Sequence, residues 1–579
     1  MNQGLLFFTF SPVQSFIAES RKLSDLYTAS RILSDLAQTV ARVFSNPQKG
    51  RRLVFPSTVD GDLPNKLVAI LPFEDCTSAA NEARDAFHDH WTKLLDESRT
   101  SFLEKAGANA RDGVWDQIWE RQSAENYFWE IYWTAALING SYQESYQRGE
   151  LALEGIKRTR IFGPSMEAGE KDTFSGSREA LHTDGLDSRR YWTKMVKQMR
   201  YGYLIQPGGR ECLDSIGLVK RFCKQNSQNL PFSSTSSVAS RCFLDKVQQE
   251  KQAIEKLVAF SKKLEILNCP SSKNRDVFNF DGDFLYPETL TPERLAEDYG
   301  LENIQADSLN SASKALKDLF ASVSARPSSY YGILMLDGDS MGKALSECDS
   351  EEKHRQFSNC LNAFSKKAKE IFPKHLATGI YTGGDDVLAF APLETTIPLA
   401  AELAEAFEKT TNGLTASAGI VFSHHRSPLA AALRAVRSAE RCAKDVTGKS
   451  AVCVRILKRS GEEVELVSKW ENLSSMQKKW VEFFINDQIS TRMPYDLLNE
   501  ARTLTLLGLD ARKSGMRRVL NRHVKKVNAS PIDLEGIATE LATWAEKLDQ
   551  VGLANSTEGL IRLGYWLTYF RFVSAGGEE

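Results

Sequence analysis

Four consecutive residues, Gly383-Gly384-Asp385-Asp386, constrain the fold of this chain more than any other segment. They separate two short apolar runs, 378–382 and 387–390, whose length and composition predict β-strands. Glycine in a tight turn supplies a backbone with positive φ, and it also lets a ligand approach the main chain closely. The sequence therefore predicts a β-hairpin with two carboxylates at its tip.

A second acidic pair lies at the end of another predicted strand. Residues 331–336 form a buried apolar run that ends at Asp337-Gly338-Asp339. Apolar periodicity then predicts helices over 351–371, 396–410 and 428–446, and strands over 414–422 and 451–458. This βαββαβ order, with one extra helix, is typical of a ferredoxin-like palm, in which the first strand and the hairpin are neighbours. The two acidic pairs are therefore expected to meet at one edge of a sheet.

Such a cluster predicts a site for divalent metal ions. Carboxylate oxygens suit Mg²⁺ or Mn²⁺, and two such ions can activate a 3′-hydroxyl and stabilise a leaving pyrophosphate. The expected catalytic residues are Asp337, Asp385 and Asp386, and the expected metal ligands are these three residues and Gly338. The residues expected to contact nucleotide are Gly383, Gly384, Asp339, Ser340, Lys444 and Lys449, although both lysines also fit a solvated helix face. On its own, this turn indicates only a β-hairpin. The presence of Asp337 at the end of another predicted strand favours a functional site.

The N-terminal part repeats the same order of elements without the acidic motif. Strands are predicted over 4–10, 51–56 and 66–71, and helices over 13–44 and 77–107. Residues 125–160 are predicted to be helical, and the chain after about residue 470 reads as successive helices. The predicted fold class is a multidomain α+β protein with two ferredoxin-like palm domains plus helical domains. Its predicted domains are a degenerate palm-like domain over 1–162, a mixed, mainly helical linker domain over 163–325, a catalytic palm over 326–468 and a helical domain over 469–579.

Composition narrows the class of protein. The 579 residues are 42% apolar and 26% charged, as in ordinary globular proteins with several cores. No run of 18 apolar residues is present, and residues 4–10 resemble a strand more than a signal peptide, so we expect no membrane association. The nine cysteines contain no CxxC pair, which favours a reducing cytoplasm. The net charge of -2 neither excludes nor indicates nucleic acid.

The motifs together resemble a known family. Those in the palm are 337–342 (Asp-Gly-Asp-Ser-Met-Gly), 381–386 (Tyr-Thr-Gly-Gly-Asp-Asp), 417–420 (Ser-Ala-Gly-Ile) and 424–428 (His-His-Arg-Ser-Pro). Those outside it are 11–17, Arg21-Lys22, Asp25-Leu26, Phe55-Pro56, 63–66, Lys220-Arg221 and 231–236. They are similar to the Cas-ten (Cas10) large subunit of type III-B (Cmr) CRISPR effector complexes. The resemblance covers most of residues 1–460.

The resemblance implies an activity and a set of partners. Such subunits are activated when guide RNA in the complex pairs with target RNA, and the palm then joins ATP through 3′-5′ links into cyclic oligoadenylates. By position, Asp337 and Asp385 would hold metal, with Asp339 and Asp386 in support. The implied partners are the other Cmr subunits, CRISPR guide RNA and target RNA.

Three departures from the family pattern lead to further expectations. The chain starts at the palm-like strand, and His88-Asp89 has no partner histidines nearby, so HD nuclease activity is not expected. Asp172 and Ser175 stand where a CxxC zinc motif is usual, so structural zinc is not expected either. Ser340 replaces an asparagine that is frequent in the family, which leaves purine contacts or the choice of substrate open.

The densest basic stretch, Arg512, Lys513, Arg517, Arg518, Arg522, Lys525 and Lys526, predicts contact with RNA phosphates or with a partner subunit. Its alternative is a solvated helix face. Two alternatives to the leading function also stay open: the palm adenylates another small molecule, or it is vestigial and the subunit is structural. A free-standing diguanylate cyclase is the least favoured reading, because the turn is GGDD rather than GGDEF.

Overall fold

The structure is a computed structural model that describes residues 2–159, 167–199, 205–206, 208–223, 234–271, 278–471, 473–525, 532–551 and 558–577. Within these residues the strands are β1 (Gln3–Ser11), β2 (Arg52–Phe55), β3 (Lys66–Pro72), β4 (Glu130–Leu137), β5 (Tyr330–Gly338), β6 (Thr378–Gly383), β7 (Asp386–Pro392), β8 (Ala416–His424), β9 (Ala451–Leu457) and β10 (Glu463–Lys469).

The helices of the N-terminal half span Gln14–Ala18, Leu23–Phe44, Cys76–Ala106, Gly113–Ser123, Tyr142–Arg158, Ser188–Met199, Ser215–Phe222, Thr235–Ala239, Arg241–Gln249, Lys251–Ile266, Pro292–Tyr299 and Ala306–Val323. Those of the C-terminal half span Met341–Ser346, Glu351–Ile371, Thr396–Thr410, Leu429–Asp445, Leu473–Ile485, Met493–Thr505, Leu509–His523, Leu534–Val551 and Gly559–Ser574.

The first sheet has the ferredoxin-like order β2-β3-β1-β4, and each neighbouring pair is antiparallel. The alternate residues Leu6 and Phe8 of β1 face the long helices Leu23–Phe44 and Cys76–Ala106 across one core. The expected ferredoxin-like arrangement is therefore confirmed in the first part of the chain.

One prediction in this region was wrong. Residues 125–160 are not a continuous helical segment, because β4 occupies Glu130–Leu137 and completes the sheet beside β1. Most residues of β4 are only half-buried, so the strand lacks the clear alternation of apolar and polar residues that marks a strand in a sequence.

The second sheet has the order β10-β9-β8-β5-β7-β6. Four of its strands, β8-β5-β7-β6, again have the ferredoxin-like order, with β5 antiparallel to both neighbours. The helix Leu429–Asp445 then crosses over so that β9 pairs parallel with β8, and β10 returns as a hairpin. The strand β10 and the short helix Met341–Ser346 were not predicted from the sequence.

The bounds of the predicted linker domain, 163–325, stay a prediction. Within them, buried apolar residues up to Ala239 belong to the core of the first palm-like domain, whereas those between 243 and 320 form another core. Residues 163–166 and 224–233, which include part of the motif 231–236, lie outside the described residues. The described chain after residue 470 contains successive helices that share a core with the second palm, and the separate helical domain over 469–579 stays a prediction.

The two palm domains are joined by continuous apolar packing. Ile380 and Leu388 of the second sheet belong to the same buried cluster as Leu26 and Ile32 of the first domain. On another side, Tyr146 of the first domain contacts the ring of His354 at a centroid distance of 4.6 Å. The hairpin that carries the acidic residues therefore lies next to the first domain.

Candidate metal and nucleotide site

The predicted hairpin is present, and its turn depends on both glycines for different reasons. Gly383 pairs with Asp386, so Gly384 and Asp385 form a two-residue loop. Gly384 has φ of 72°, in the left-handed region that favours glycine. Gly383 does not share this positive φ; a Cβ atom there would lie 1.8 Å from the hydroxyl oxygen of Tyr381. The expectation of positive φ therefore holds for only one of the two residues.

Three carboxylates converge as the sequence predicted. Asp337 at the end of β5, and Asp385 and Asp386 of the hairpin, each place one oxygen within 4.8 Å of the others. Removal from bulk water and the neighbouring Asp337 charge raise the pKa of Asp385 to about 7, and desolvation with repulsion from Asp385 raises the pKa of Asp386 well above its usual range. Crowded hard oxygen ligands of this kind fit a divalent cation, whose charge would offset their repulsion.

Lys444 joins this cluster. Its Nζ atom contacts Asp337 Oδ2 and lies 3.3 Å from Glu440 Oε1. Burial lowers the pKa of Lys444, but the bonds to these two carboxylates outweigh burial and raise it. The predicted lysine is therefore at the site, and Glu440, one helical turn earlier, is an additional residue that sequence reasoning missed.

Asp339, which was expected to support the metal and to contact nucleotide, is not one of the three converging carboxylates, and its role stays a prediction. Its buried side chain accepts hydrogen bonds from Thr415 Oγ1 at 2.8 Å, Ser417 Oγ at 2.9 Å and the Ser450 backbone N–H at 3.0 Å. Asp339 therefore organises the loop between Leu429–Asp445 and β9. The alternation of side chains along a β-strand predicts the direction of Asp337. Asp339 lies beyond the end of β5, where this alternation no longer predicts the direction of a side chain.

Ser340 and Lys449 lie together at the rim. Ser340 is exposed and in the left-handed region at φ of 59°, and its Oγ is 3.4 Å from Lys449 Nζ. Gly448, Lys449 and Ser450 all have positive φ. Backbone strain of this kind in non-glycine residues is concentrated at functional sites. Gly338, the fourth expected metal ligand, ends β5 and has no space for a Cβ beside Phe407.

A residue from the first domain also reaches the hairpin. Asp62 accepts a hydrogen bond from Thr382 Oγ1 at 2.9 Å, and Thr382 directly precedes Gly383. Asp62 was not among the predicted site residues. The one signal available was its position immediately before the motif 63–66, which carried part of the family resemblance.

The predicted basic surface on the helix Leu509–His523 is largely engaged within the chain. Arg517 pairs with Glu535 at 2.8 Å, and Arg518 and Arg522 both pair with Glu500 at 2.9 Å. Arg512 donates to the backbone oxygens of Thr505 and Leu507. These ion pairs reduce the positive charge that the helix offers to an RNA phosphate. Contact of this basic stretch with RNA or with a partner subunit stays a prediction. Lys526 lies outside the described residues.

At the position of the expected zinc motif, Asp172 forms a hydrogen-bonded turn. Its carboxylate accepts from the backbone N–H groups of Phe174 and Ser175 at 2.7 and 2.6 Å, and from the hydroxyl of Ser175. Burial and the nearby Asp214 raise the pKa of Asp172 to about 6. The side chains at these two positions therefore bond to each other and to the local backbone.

Comparison with known families identifies the family of the chain. The model of Cas10/Cmr2, second palm domain, matches residues 330–453, and that of CRISPR-associated protein Cmr2, N-terminal, matches residues 5–96. The chain belongs to the Cas10/Cmr2 family. The resemblance to type III-B large subunits drawn from the motifs is thereby confirmed, and the Cas10/Cmr2 palm match contains the whole carboxylate cluster.

Two curated proteins are similar in sequence to this Cas10/Cmr2 chain. CRISPR system Cmr subunit Cmr2 of Pyrococcus furiosus is 24% identical over 607 residues, which cover 86% of this chain and 67% of that protein. The CRISPR system single-strand-specific deoxyribonuclease Cas10/Csm1 (subtype III-A) of Mycobacterium tuberculosis is 30% identical over 148 residues, 21% of this chain and 18% of that protein. The chain thus spans about two thirds of the first relative and a small part of the second.

Solved structures confirm the fold class. The cryo-EM structure of the type III-B Cmr-beta complex in its apo state contains a chain with a TM-score of 0.68 and 14% identity, covering 100% of this chain and 82% of that one. The same complex bound to cognate target RNA gives a TM-score of 0.67, 14% identity and coverages of 100% and 83%. At this identity the similarity concerns the fold alone. Among the described residues, none of the helices is long and apolar enough to cross a membrane.

Proposed function

We propose that this Cas10/Cmr2 chain is the target-RNA-activated nucleotidyltransferase of a type III-B CRISPR complex, and that it joins ATP by 3′-5′ links into a cyclic oligoadenylate-type second messenger. The observation that carries the proposal is the convergence of Asp337, Asp385 and Asp386 at one edge of a palm sheet. Its expected partners are other Cmr subunits, guide RNA and target RNA in the cytoplasm, supported by the similarity to a Cmr-beta chain whose complex binds cognate target RNA.

The proposed reaction forms one bond and breaks another. The 3′-hydroxyl of one ATP releases its proton to water and its oxygen bonds to the α-phosphorus of a second ATP, while the bond from that phosphorus to the bridging oxygen breaks and pyrophosphate leaves. Divalent cations, when bound, would lower the pKa of the 3′-hydroxyl and neutralise charge on the departing pyrophosphate. Asp337, Asp385 and Asp386 would hold those cations.

The remaining side chains support the substrate. The ammonium group of Lys444 contacts Asp337, and that of Lys449 lies beside Ser340. Both groups would complement the negative charge of a triphosphate. Gly384 has open space where a Cβ would be, so a phosphate can approach the turn closely. The chain therefore supplies positioning and charge complementarity, which are the main needs of this class of reaction.

The test uses the assembled complex with target RNA, labelled ATP, and Mg²⁺ or Mn²⁺. We expect oligoadenylates and pyrophosphate, and we expect the double variant Asp385→Ala with Asp386→Ala to make neither while it assembles normally. Asp60→Ala, an exposed carboxylate two residues before Asp62, is the matched control. Absence of pyrophosphate release by the unmodified complex with either metal would refute the proposal.

A second candidate reaction differs in the molecule that accepts the adenylyl group. Ser340 is exposed at the rim of the site, where the family often has asparagine, and this favours testing a different small molecule as the acceptor of the adenylyl group. Mass spectrometry of products formed from ATP alone and from ATP with cell extract separates the two reactions. A vestigial palm predicts neither product and normal interference by the double alanine variant.

A further inference from the structure

The loop between β2 and β3 of the first palm-like domain reaches the second palm. The backbone N–H of Ser57 donates to Ser358 Oγ at 2.8 Å, and Ser57 Oγ donates to Asn359 Oδ1 at 2.7 Å. Both partners lie on the helix Glu351–Ile371, which precedes β6. The loop is therefore fixed to the catalytic domain at one end.

At its other end the same loop carries Asp62, whose carboxylate is 13% exposed. Oδ2 accepts a hydrogen bond from Thr382 Oγ1 at 2.9 Å and lies 2.9 Å from Lys369 Nζ. Oδ1 lies 3.7 Å from Arg31 of the helix Leu23–Phe44. One carboxylate of the first domain thus binds a hydroxyl and an ammonium group of the second domain.

Thr382 is held from two sides. Thr382 is 97% shielded from solvent, its side chain is bonded to Asp62, and its backbone oxygen accepts a hydrogen bond from Ser365 Oγ at 2.8 Å. Among the described residues, β6 is the edge strand of its sheet and has a strand neighbour, β7, on one side only. An edge strand is less constrained by its ladder than a central one. The contacts of Thr382 therefore help to set the position of the turn that follows it.

We propose that Asp62 is a positioning residue of the nucleotidyltransferase site, which couples the first palm-like domain to the catalytic hairpin through Thr382. Movement of the first domain is transmitted through this carboxylate to Gly383 and to the turn that holds Asp385 and Asp386. Catalysis is sensitive to such movement, because a displacement of about 1 Å can lower a rate about 100-fold. This inference rests on the proposed function.

The test measures steady-state rates of oligoadenylate formation by the assembled complex with target RNA. Asp62→Asn keeps the shape of the side chain but removes the charge that pairs with Lys369 and Arg31. We expect kcat to fall about tenfold or more while KM for ATP stays within about twofold, because the residue acts on the hairpin and not on the nucleotide. Asp60→Asn, which changes an exposed carboxylate of the same loop, should leave both parameters unchanged.

Variants at Thr382 test the route of coupling. Thr382→Ser keeps the hydroxyl and should retain activity, whereas Thr382→Val should reproduce the loss in kcat. The double variant Asp62→Ala with Thr382→Val should be no slower than the slower single variant, since each of these substitutions removes the hydrogen bond between the two side chains. Thermal midpoints and assembly of each complex are measured alongside, and the Ser and Val pair provides the comparison if Asp62→Asn does not fold.

Three results would overturn the proposal: full kcat with Asp62→Asn, a change confined to KM, or additive losses in the double variant. Each of these requires a wild-type complex that makes product. A wild-type complex that releases no pyrophosphate instead contradicts the proposed function, so the two failures are distinguishable.

Discussion

At the scale of single residues, the charge of Lys444 is balanced by the carboxylates beside it. Asp337 contacts Lys444, whose ammonium group also pairs with Glu440. A divalent cation bound to Asp337 would compete with this lysine for the carboxylate, whereas a triphosphate bound nearby would be attracted by the lysine. One side chain would then lower the affinity for the metal and raise the affinity for the nucleotide.

Replacing Lys444 with Gln should have opposite effects on metal and nucleotide. Without the competing ammonium group of Lys444, Mn²⁺ should bind roughly fivefold more tightly. This factor corresponds to about 1 kcal/mol, as expected for the loss of a partly exposed ion pair between Lys444 and Asp337. The KM for ATP should rise, because one charge facing the triphosphate is lost. Calorimetric titration with Mn²⁺ alone, and steady-state rates, measure the two effects. Lys343→Gln, at an exposed lysine, is the control, and weaker Mn²⁺ binding by Lys444→Gln would contradict the prediction.

At the scale of elements, several motif residues outside the palm have a structural role. Asp25, near the start of the helix Leu23–Phe44, accepts from the backbone N–H groups of Arg21 and Lys22 at 3.0 and 2.9 Å. Arg221, on the helix Ser215–Phe222, donates to both Asp25 oxygens and to both Glu211 oxygens. The motifs Arg21-Lys22, Asp25-Leu26 and Lys220-Arg221 thus meet in one buried ionic cluster that joins two helices.

Asp25→Asn should lower the free energy of unfolding by about 3 kcal/mol, because it leaves the buried charge of Arg221 only partly paired and removes the charge from a helix start. The expected observation is a first unfolding transition at lower urea concentration. Arg517→Met breaks an ion pair in which both partners are exposed and should change stability by less than about 1 kcal/mol. Equal shifts for the two variants would show that the buried cluster has no special role.

The whole molecule is held together by cores that cross domain boundaries. Apolar residues of the first sheet, the second palm and the C-terminal helices belong to one buried cluster, and a second cluster unites the other face of the first sheet with the hairpin strands. His354 lies inside the interface, between Tyr142, Tyr146 and Phe55. Burial lowers its pKa to about 4.

This histidine should make the domain interface sensitive to acid. In the unfolded chain His354 takes up a proton near pH 6.5, whereas in the folded chain it stays neutral until about pH 4. Its contribution to stability is therefore complete above pH 6.5 and falls as the pH drops toward 4, by about 1.4 kcal/mol per pH unit. Urea unfolding of wild type and His354→Gln at several pH values measures this difference, and parallel pH profiles would contradict it.

Much of the second palm could be predicted from the sequence. The turn Gly383-Gly384-Asp385-Asp386 lies between strands whose apolar pattern is local, and the order of elements placed Asp337 beside it. The first palm-like sheet followed from the same periodicity. The predicted family and fold class are confirmed for the same reason, since motif spacing and element order are properties of the linear chain.

Other features depended on contacts between distant residues, which no local pattern encodes. The strand β4 exists because β1 offers it a partner 119 residues away along the chain, as in the bond between Ser11 and Glu130. The pairing of Arg518 and Arg522 with Glu500 likewise depends on how two helices pack.

Sequence by itself thus determined which residues could form a metal-binding hairpin, because turn chemistry and apolar periodicity act over a few residues. Only the tertiary structure decided that Asp339 bonds to Thr415 and Ser417, apart from the three converging carboxylates, and that Asp62 of another domain holds Thr382. The physical reason is that a side chain's partners are fixed by packing in three dimensions, where residues far apart in the chain become neighbours.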